Sequence, residues 1–128
     1  MTAAALCLAA AGFSATIPAH TFTLAWQHSI EKVVWEEDYI VAGDWLYLSG
    51  ARIRGSGAGM EPPDGAVLLA GVWHYRPAQR WSRALTVARS EFVEDYRLCV
   101  EGRCMPMSNW IPVRAGATRL APCGSITN

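Results

Sequence analysis

From Thr21 onward, apolar and polar residues alternate with a period of two, not 3.6. Phe22, Leu24 and Trp26 alternate with Thr21, Thr23 and Gln27, which predicts a half-buried strand. Val33, Trp35, Tyr39 and Val41 hold one parity in the next segment, with Glu36 and Asp38 on the other. Gly43-Asp44 after Ala42 reads as a tight turn, and a further strand runs from Trp45 to about Arg54. Its opening, Trp45-Leu46-Tyr47-Leu48, is apolar on both parities, as in a central strand covered on each side. The pattern then breaks at Gly55-Ser56-Gly57-Ala58-Gly59-Met60-Glu61-Pro62-Pro63. Glycines at alternate positions cost backbone entropy in any regular element, and prolines remove backbone donors. Pro62-Pro63-Asp64-Gly65 predicts a turn. Ala66–Tyr75 reads as one apolar strand, Arg76–Arg80 as a loop and Ser82–Ala88 as a short strand. Phe92–Glu94 reads as a helical turn or an irregular connection. Tyr96, Leu98 and Val100 alternate with Arg97 and Cys99, and Ala117–Leu120 forms a last short strand after an Ala115-Gly116 turn. Short strands separated by turns predict an all-β protein, a single small antiparallel β-sandwich or barrel-like domain.

Ahead of this pattern lies an apolar, alanine-rich run, Ala3–Ala15, holding Leu6, Cys7, Leu8 and Phe13. Its length suits a signal-peptide core and is short for a membrane span. Small residues at Ala10, Gly12, Ala15 and Ala19 supply a processing region, although no Lys or Arg precedes the run. The expectation is a signal peptide or N-terminal anchor over 1–19 and a β-domain over 20–128. A buried N-terminal element of the domain is the remaining alternative. Export places the chain in the periplasm, secreted or anchored facing the periplasm, with membrane contact only through the uncleaved segment.

The chain has 128 residues, 52% hydrophobic and 17% charged, which is enough apolar material for one folded core. A net charge of +0 removes the basic footprint that a nucleic-acid partner requires. Basic charge is almost all arginine, with Lys32 the only lysine. The six tryptophans read mostly as core.

Cys99 and Cys104 flank Val100-Glu101-Gly102-Arg103. A two-residue hairpin loop at Glu101-Gly102 makes Val100 and Arg103 the closing pair and sets Cys99 opposite Cys104. The next, non-hydrogen-bonded pair brings the backbones closest, which suits a cross-strand disulfide in an exported chain. Redox chemistry would want a C-x-x-C at a helix start, and zinc would want more ligands. Cys7 departs with a cleaved signal, leaving Cys123 odd: free, or bonded to a partner.

His28-Ser29 with Glu31 invites a nucleophile–base reading. Neighbouring strand residues point to opposite faces, however, and no G-x-S-x-G elbow is present. The plainer role is a strand end whose Ser29 bonds local backbone. His20, His28 and His74 lack metal-ligand spacing, so no metal and no cofactor is expected. The Gly57-Ala58-Gly59 stretch has neither the Lys-Ser/Thr of a phosphate loop nor a following helix, although its N–H groups could form an anion nest. Glu36-Glu37-Asp38 reads as a solvated strand edge.

Together these stretches resemble a known family. The Phe22–Trp26 strand, His28-Ser29-Ile30-Glu31, Glu36-Glu37 ahead of Tyr39-Ile40-Val41, and Gly57-Ala58-Gly59-Met60 look like DUF1850, a bacterial family of small uncharacterised domains. Asp95-Tyr96-Arg97-Leu98, Gly102-Arg103 and Gly116-Ala117-Thr118-Arg119-Leu120 fit its C-terminal half, so the resemblance spans about Thr21–Leu120. Tyr96 stands where the resemblance leads one to expect histidine. The resemblance implies an exported, non-enzymatic accessory of a TRAP transporter of the TAXI type, touching the permease or its solute receptor. It supplies no catalytic residues. The alternative is a small-ligand- or anion-binding domain whose site lies between His28, Ser29 and Glu31 on one loop and Gly57, Ala58 and Gly59 on the other. A hydrolase ranks below both.

Overall fold

The computed structural model describes residues 3–27, 33–55 and 63–123. Within them run β1 (Ala5–Ala10), β2 (Phe13–Pro18), β3 (Thr21–Gln27), β4 (Val34–Ala42), β5 (Trp45–Arg54), β6 (Val67–Leu69) and β7 (Val72–Tyr75). They continue with β8 (Trp81–Ser82), β9 (Leu85–Val87), β10 (Arg97–Val100), β11 (Arg103–Pro106) and β12 (Thr118–Pro122). Single 3-10 turns at Met107–Asn109 and Val113–Ala115 lead into β12. The strands form two antiparallel sheets. The smaller has the order β2-β1-β12-β9, and the larger β11-β10-β3-β4-β5-β7-β6, with β8 paired to the first half of β5. The expected all-β sandwich is therefore the observed fold.

Period-two patterning explains the core. Leu6, Leu8, Ala10 and Ile17 of the small sheet, with Leu120, face Phe22, Leu24, Tyr39, Val41, Leu46, Leu48 and Leu98 of the large one. Burying a leucine of this kind contributes about 1.5–3 kcal/mol. β5 needs one irregularity to contribute along its whole length. Asp38 pairs with Gly50 but Tyr39 with Leu48, so Ser49 is an extra residue, and its Oγ donates to the Asp38 carbonyl at 3.2 Å. This bulge switches parity. It lets Leu46 and Leu48 point inward and still turns Ala51 and Ile53 inward beyond it.

The N-terminal run takes the form of the alternative reading, a buried element of the domain. It is a β-hairpin of the core, with Leu6 and Leu8 fully buried and β1 hydrogen-bonded to β12. Its alanines hid a period-two pattern, since Ala9 and Ala10 differ in exposure but not in hydropathy class. Cys123 is likewise neither free nor bonded elsewhere: it is joined to Cys7, with Cα atoms 5.1 Å apart. Cys99 is joined to Cys104 across the β10–β11 hairpin, as the spacing predicts. Ala66–Tyr75 is two strands rather than one, folded at Ala70-Gly71. That turn, Ala11-Gly12 and Glu101-Gly102 all have positive φ at both central residues, the primed geometry whose twist suits a tight hairpin. Alanine at the first position concealed two of the three. The predicted Ser82–Ala88 strand is also divided: β8 joins the large sheet and β9 the small one.

Arg89 ties the two sheets together. Its side chain is fully buried just after β9 and makes a two-pronged ion pair with Asp95, Nε to Oδ1 at 2.9 Å and Nη2 to Oδ2 at 3.0 Å. It also donates to Thr118 Oγ1 at 3.0 Å and to the Ile111 carbonyl at 2.8 Å. Asp95 in turn accepts from the backbone N–H groups of Tyr96 and Ser108. Asp95, one of the residues behind the family resemblance, thus has a structural role.

Candidate functional site

His28, Ser29 and Glu31, and likewise Gly57, Ala58 and Gly59, lie outside the described residues. The strand ends that bound their two segments are described. β3 ends at Gln27 and β5 at Arg54, and Val34 at the start of β4 pairs with both. These ends are neighbours at one end of the large sheet.

Near that end the inner face of the large sheet changes character. Trp26 lies across from Trp35, Trp35 from Ile53, and Ile53 from Trp73. One row further in, Glu37 lies between Leu24 and Ala51, with Tyr75 beyond Ala51. Cross-strand partners share a face. Glu37 therefore points to the side of the core, two residues from buried Tyr39. The Tyr39 hydroxyl donates to Glu37 Oε1 at 2.8 Å. Burial raises the Glu37 pKa above the usual carboxylate value, and the Tyr39 hydrogen bond partly offsets this. Burial first, and then the Glu37 charge, hold the hydroxyls of Tyr39, Tyr75 and Tyr96 above the ordinary phenol range. All three stay protonated at physiological pH as donors. Trp26 stacks on Trp35 with ring centroids 6.3 Å apart and meets Tyr96 at 5.9 Å. The result is one half-buried carboxylate among phenols and indoles.

The opposite face of the same strands is chemically settled. Arg52 bonds Glu36 through Nε at 3.1 Å and Asp38 through both Nη atoms, the Nη2–Oδ1 contact being 2.8 Å. Arg54 adds a second bond to Glu36 at 2.7 Å, and Thr23 donates to Asp38 at 2.7 Å. The Arg52 hydrogen bond holds the Asp38 pKa below the carboxylate range against the opposing effect of burial. Adjacent carboxylates on one strand thus shift in opposite directions because one faces arginine and the other faces the core. His74, from the metal reading, sits on this outer face across from Arg52. Among the described residues no set of three His, Cys, Asp or Glu gathers around a common point.

Glu37 is the site residue that sequence reasoning passed over. Its signal was parity, since it alternates in step with Trp35 and Tyr39 while Glu36 and Asp38 do not. A raised folded-state pKa means that ionised Glu37 opposes folding. Its favourable contribution is fully present below the unfolded pKa and lost as pH rises through the folded value. Glu37→Gln is therefore expected to raise the melting temperature at pH 7, with the difference from wild type shrinking as pH falls through the carboxylate range. Parallel thermal melts at several pH values check this. Chemically, a carboxylate so placed can accept a donor or a positive charge brought by a small ligand, with the aromatic rings as walls.

These features define a disulfide-bonded, two-sheet β domain of a kind suited to an oxidising, extracellular environment. Among the described residues no helix is long and apolar enough to cross a membrane. The family described as "Domain of unknown function (DUF1850)" matches residues 22–107, and the chain belongs to it. The match runs from the second residue of β3 to the residue after β11, and leaves β1, β2 and β12 outside. Neither the curated proteins nor the solved structures yield a match.

Proposed function

We propose that this protein is a non-enzymatic accessory domain acting in the periplasm beside a TRAP transporter of the TAXI type. The observation behind the compartment is the pair of disulfides, which a reducing cytosol would not maintain. The transporter itself is what the family resemblance implies, and the permease or its solute receptor is the partner. Affinity capture of the oxidised full chain, mildly solubilised with the permease and receptor, tests this reading. Co-purification of either partner is the expected result, and capture of neither overturns it.

A second reading is favoured by the burial of Glu37 among Tyr39, Tyr75, Tyr96, Trp26 and Trp35. In it the domain holds a small polar ligand at the end of the large sheet where the His28 and Gly57 segments attach. A carboxylate in that position selects an amine or another donor group over an anion. A thermal-shift screen of organic amines and organic acids tests it. Stabilisation by an amine that is lost in Glu37→Gln supports the reading, and no stabilisation by any compound in the screen removes it.

A further inference from the structure

The outer face of the large sheet carries a second collection of aromatic residues, away from Glu37. Trp45 and Tyr47 lie two apart on β5, and Trp81 of β8 pairs with Tyr47. The apolar-on-both-parities reading of Trp45–Leu48 predicts burial, yet Trp45 is 39% exposed, and Trp81, read with the other tryptophans as core, is 50% exposed. Trp81 stands in the middle of a row. Its centroid lies 4.6 Å from Tyr47 on one side and 6.3 Å from Trp45 on the other, where the two indoles are nearly perpendicular at 86°. Ile40, across from Tyr47, extends the apolar surface.

Each end of the row has arginine. At the Trp45 end the Arg83 guanidinium lies 4.5 Å over the indole ring, held by the ring face. At the Tyr47 end Arg80, and to a lesser degree Arg76, bear on the phenol hydroxyl and lower its pKa. Arg80 is fixed in turn by its Nε bond to the Pro77 carbonyl at 3.2 Å. Among the described residues no carboxylate pairs with Arg76, Arg80 or Arg83, whereas Arg52, Arg54 and Arg89 are all paired. Arg83 and Arg80 thus set positive charge directly beside the exposed rings.

We propose that Trp45, Tyr47 and Trp81, with Arg76, Arg80 and Arg83, form a binding site for an acidic oligosaccharide. Sugar rings present flat C–H faces that stack on exposed indoles. Carboxylates borne on successive rings reach guanidinium groups at both ends of such a row. A single small anion would use one end only. A neutral sugar would leave the arginines without counter-charge. The site is on the opposite face from Glu37 and does not depend on the transporter reading, so either can fail alone.

Calorimetric titration of the full oxidised chain tests the proposal. The probes are a trimer of galacturonic acid, the neutral cellotriose and poly-glutamate, which has charge without rings. The expected result is binding of the galacturonate trimer that weakens as salt is raised, with no heat from cellotriose or poly-glutamate. Trp81→Ala and Arg83→Gln are each expected to weaken binding about tenfold with unchanged circular dichroism, since both side chains lie outside the core. Absence of galacturonate binding, equal binding of poly-glutamate or cellotriose, or unchanged affinity in both variants overturns it.

Discussion

Asp95→Ala is expected to destabilise the domain by about 3–5 kcal/mol, the cost of leaving a buried charge without its partner. That is a large fraction of the roughly 5–15 kcal/mol that holds a typical domain folded. The reason is the surroundings of Arg89, whose side chain is fully enclosed and whose charge is met by Asp95 alone. Removing Asp95 also orphans the Tyr96 and Ser108 N–H groups, which anchor the start of β10 and the 3-10 turn after β11. Arg89 would still reach the Ile111 carbonyl and Thr118, but neither neutralises it. Urea denaturation at neutral pH measures the loss. Replacing both partners with apolar residues, as in Arg89→Met with Asp95→Leu, is expected to cost less than Asp95→Ala alone, because no charge is then left stranded. A double variant weaker than the single would show that the hydrogen bonds, and not the charge, matter most.

Cys7→Ser is the second change with a large expected effect, about 3–5 kcal/mol on the chain-entropy account of a long cross-link. The Cys7–Cys123 bond joins residues 116 apart in sequence and clasps β1 to the end of β12. Cys104→Ser is expected to cost less, since its partner is only five residues away in a hairpin already closed by its turn. Denaturant melts of the two variants, with and without reductant, separate the cases. The same bond gives a chemical readout of processing. A chain that keeps residues 5–18 has all four cysteines paired and is expected to react with no thiol reagent until it is reduced. A chain cut after residue 19 would lose Cys7 and expose one reactive thiol at Cys123. Thiol counting with intact-mass measurement on protein purified without reductant is expected to show four bonded cysteines.

β3, β4 and β10 of the large sheet were legible in sequence because they are covered on one face only, which writes burial as alternation. The Cys99–Cys104 bond was legible for a related reason: a two-residue loop fixes register, and register fixes which side chains meet. In the small sheet β9 and β12 were legible, but the β1–β2 hairpin was not. Its inner residues sit in a run where alanine occupies both inward and outward positions, and the same composition suits a signal segment. Its pairing of β1 with β12 is set by residues more than a hundred apart, which no local pattern records. The start of β5 was misread because Trp45 and Tyr47 place aromatic rings on the outer face while Leu46 and Leu48 fill the inner one, which makes a one-sided strand look apolar on both sides. Trp45 was then assigned to the interior and is exposed. Glu37 was missed for a different cause. A single acidic residue inside an acidic run takes its meaning from its neighbours, and only its phase against Trp35 and Tyr39 distinguishes it.

The placement of β1 between β2 and β12 has a consequence for the order in which the molecule can be made. β1 pairs on one side with β2, its immediate neighbour, and on the other with β12, more than a hundred residues later. The hairpin can form at once, but Leu6 and Leu8 have no complete cover until residues near Leu120 arrive. Contacts of such sequence separation are slow to form and leave apolar surface open meanwhile. The sandwich therefore closes only after the residues of β12 have been made. The Cys7–Cys123 clasp can then be fastened only once β12 lies beside β1.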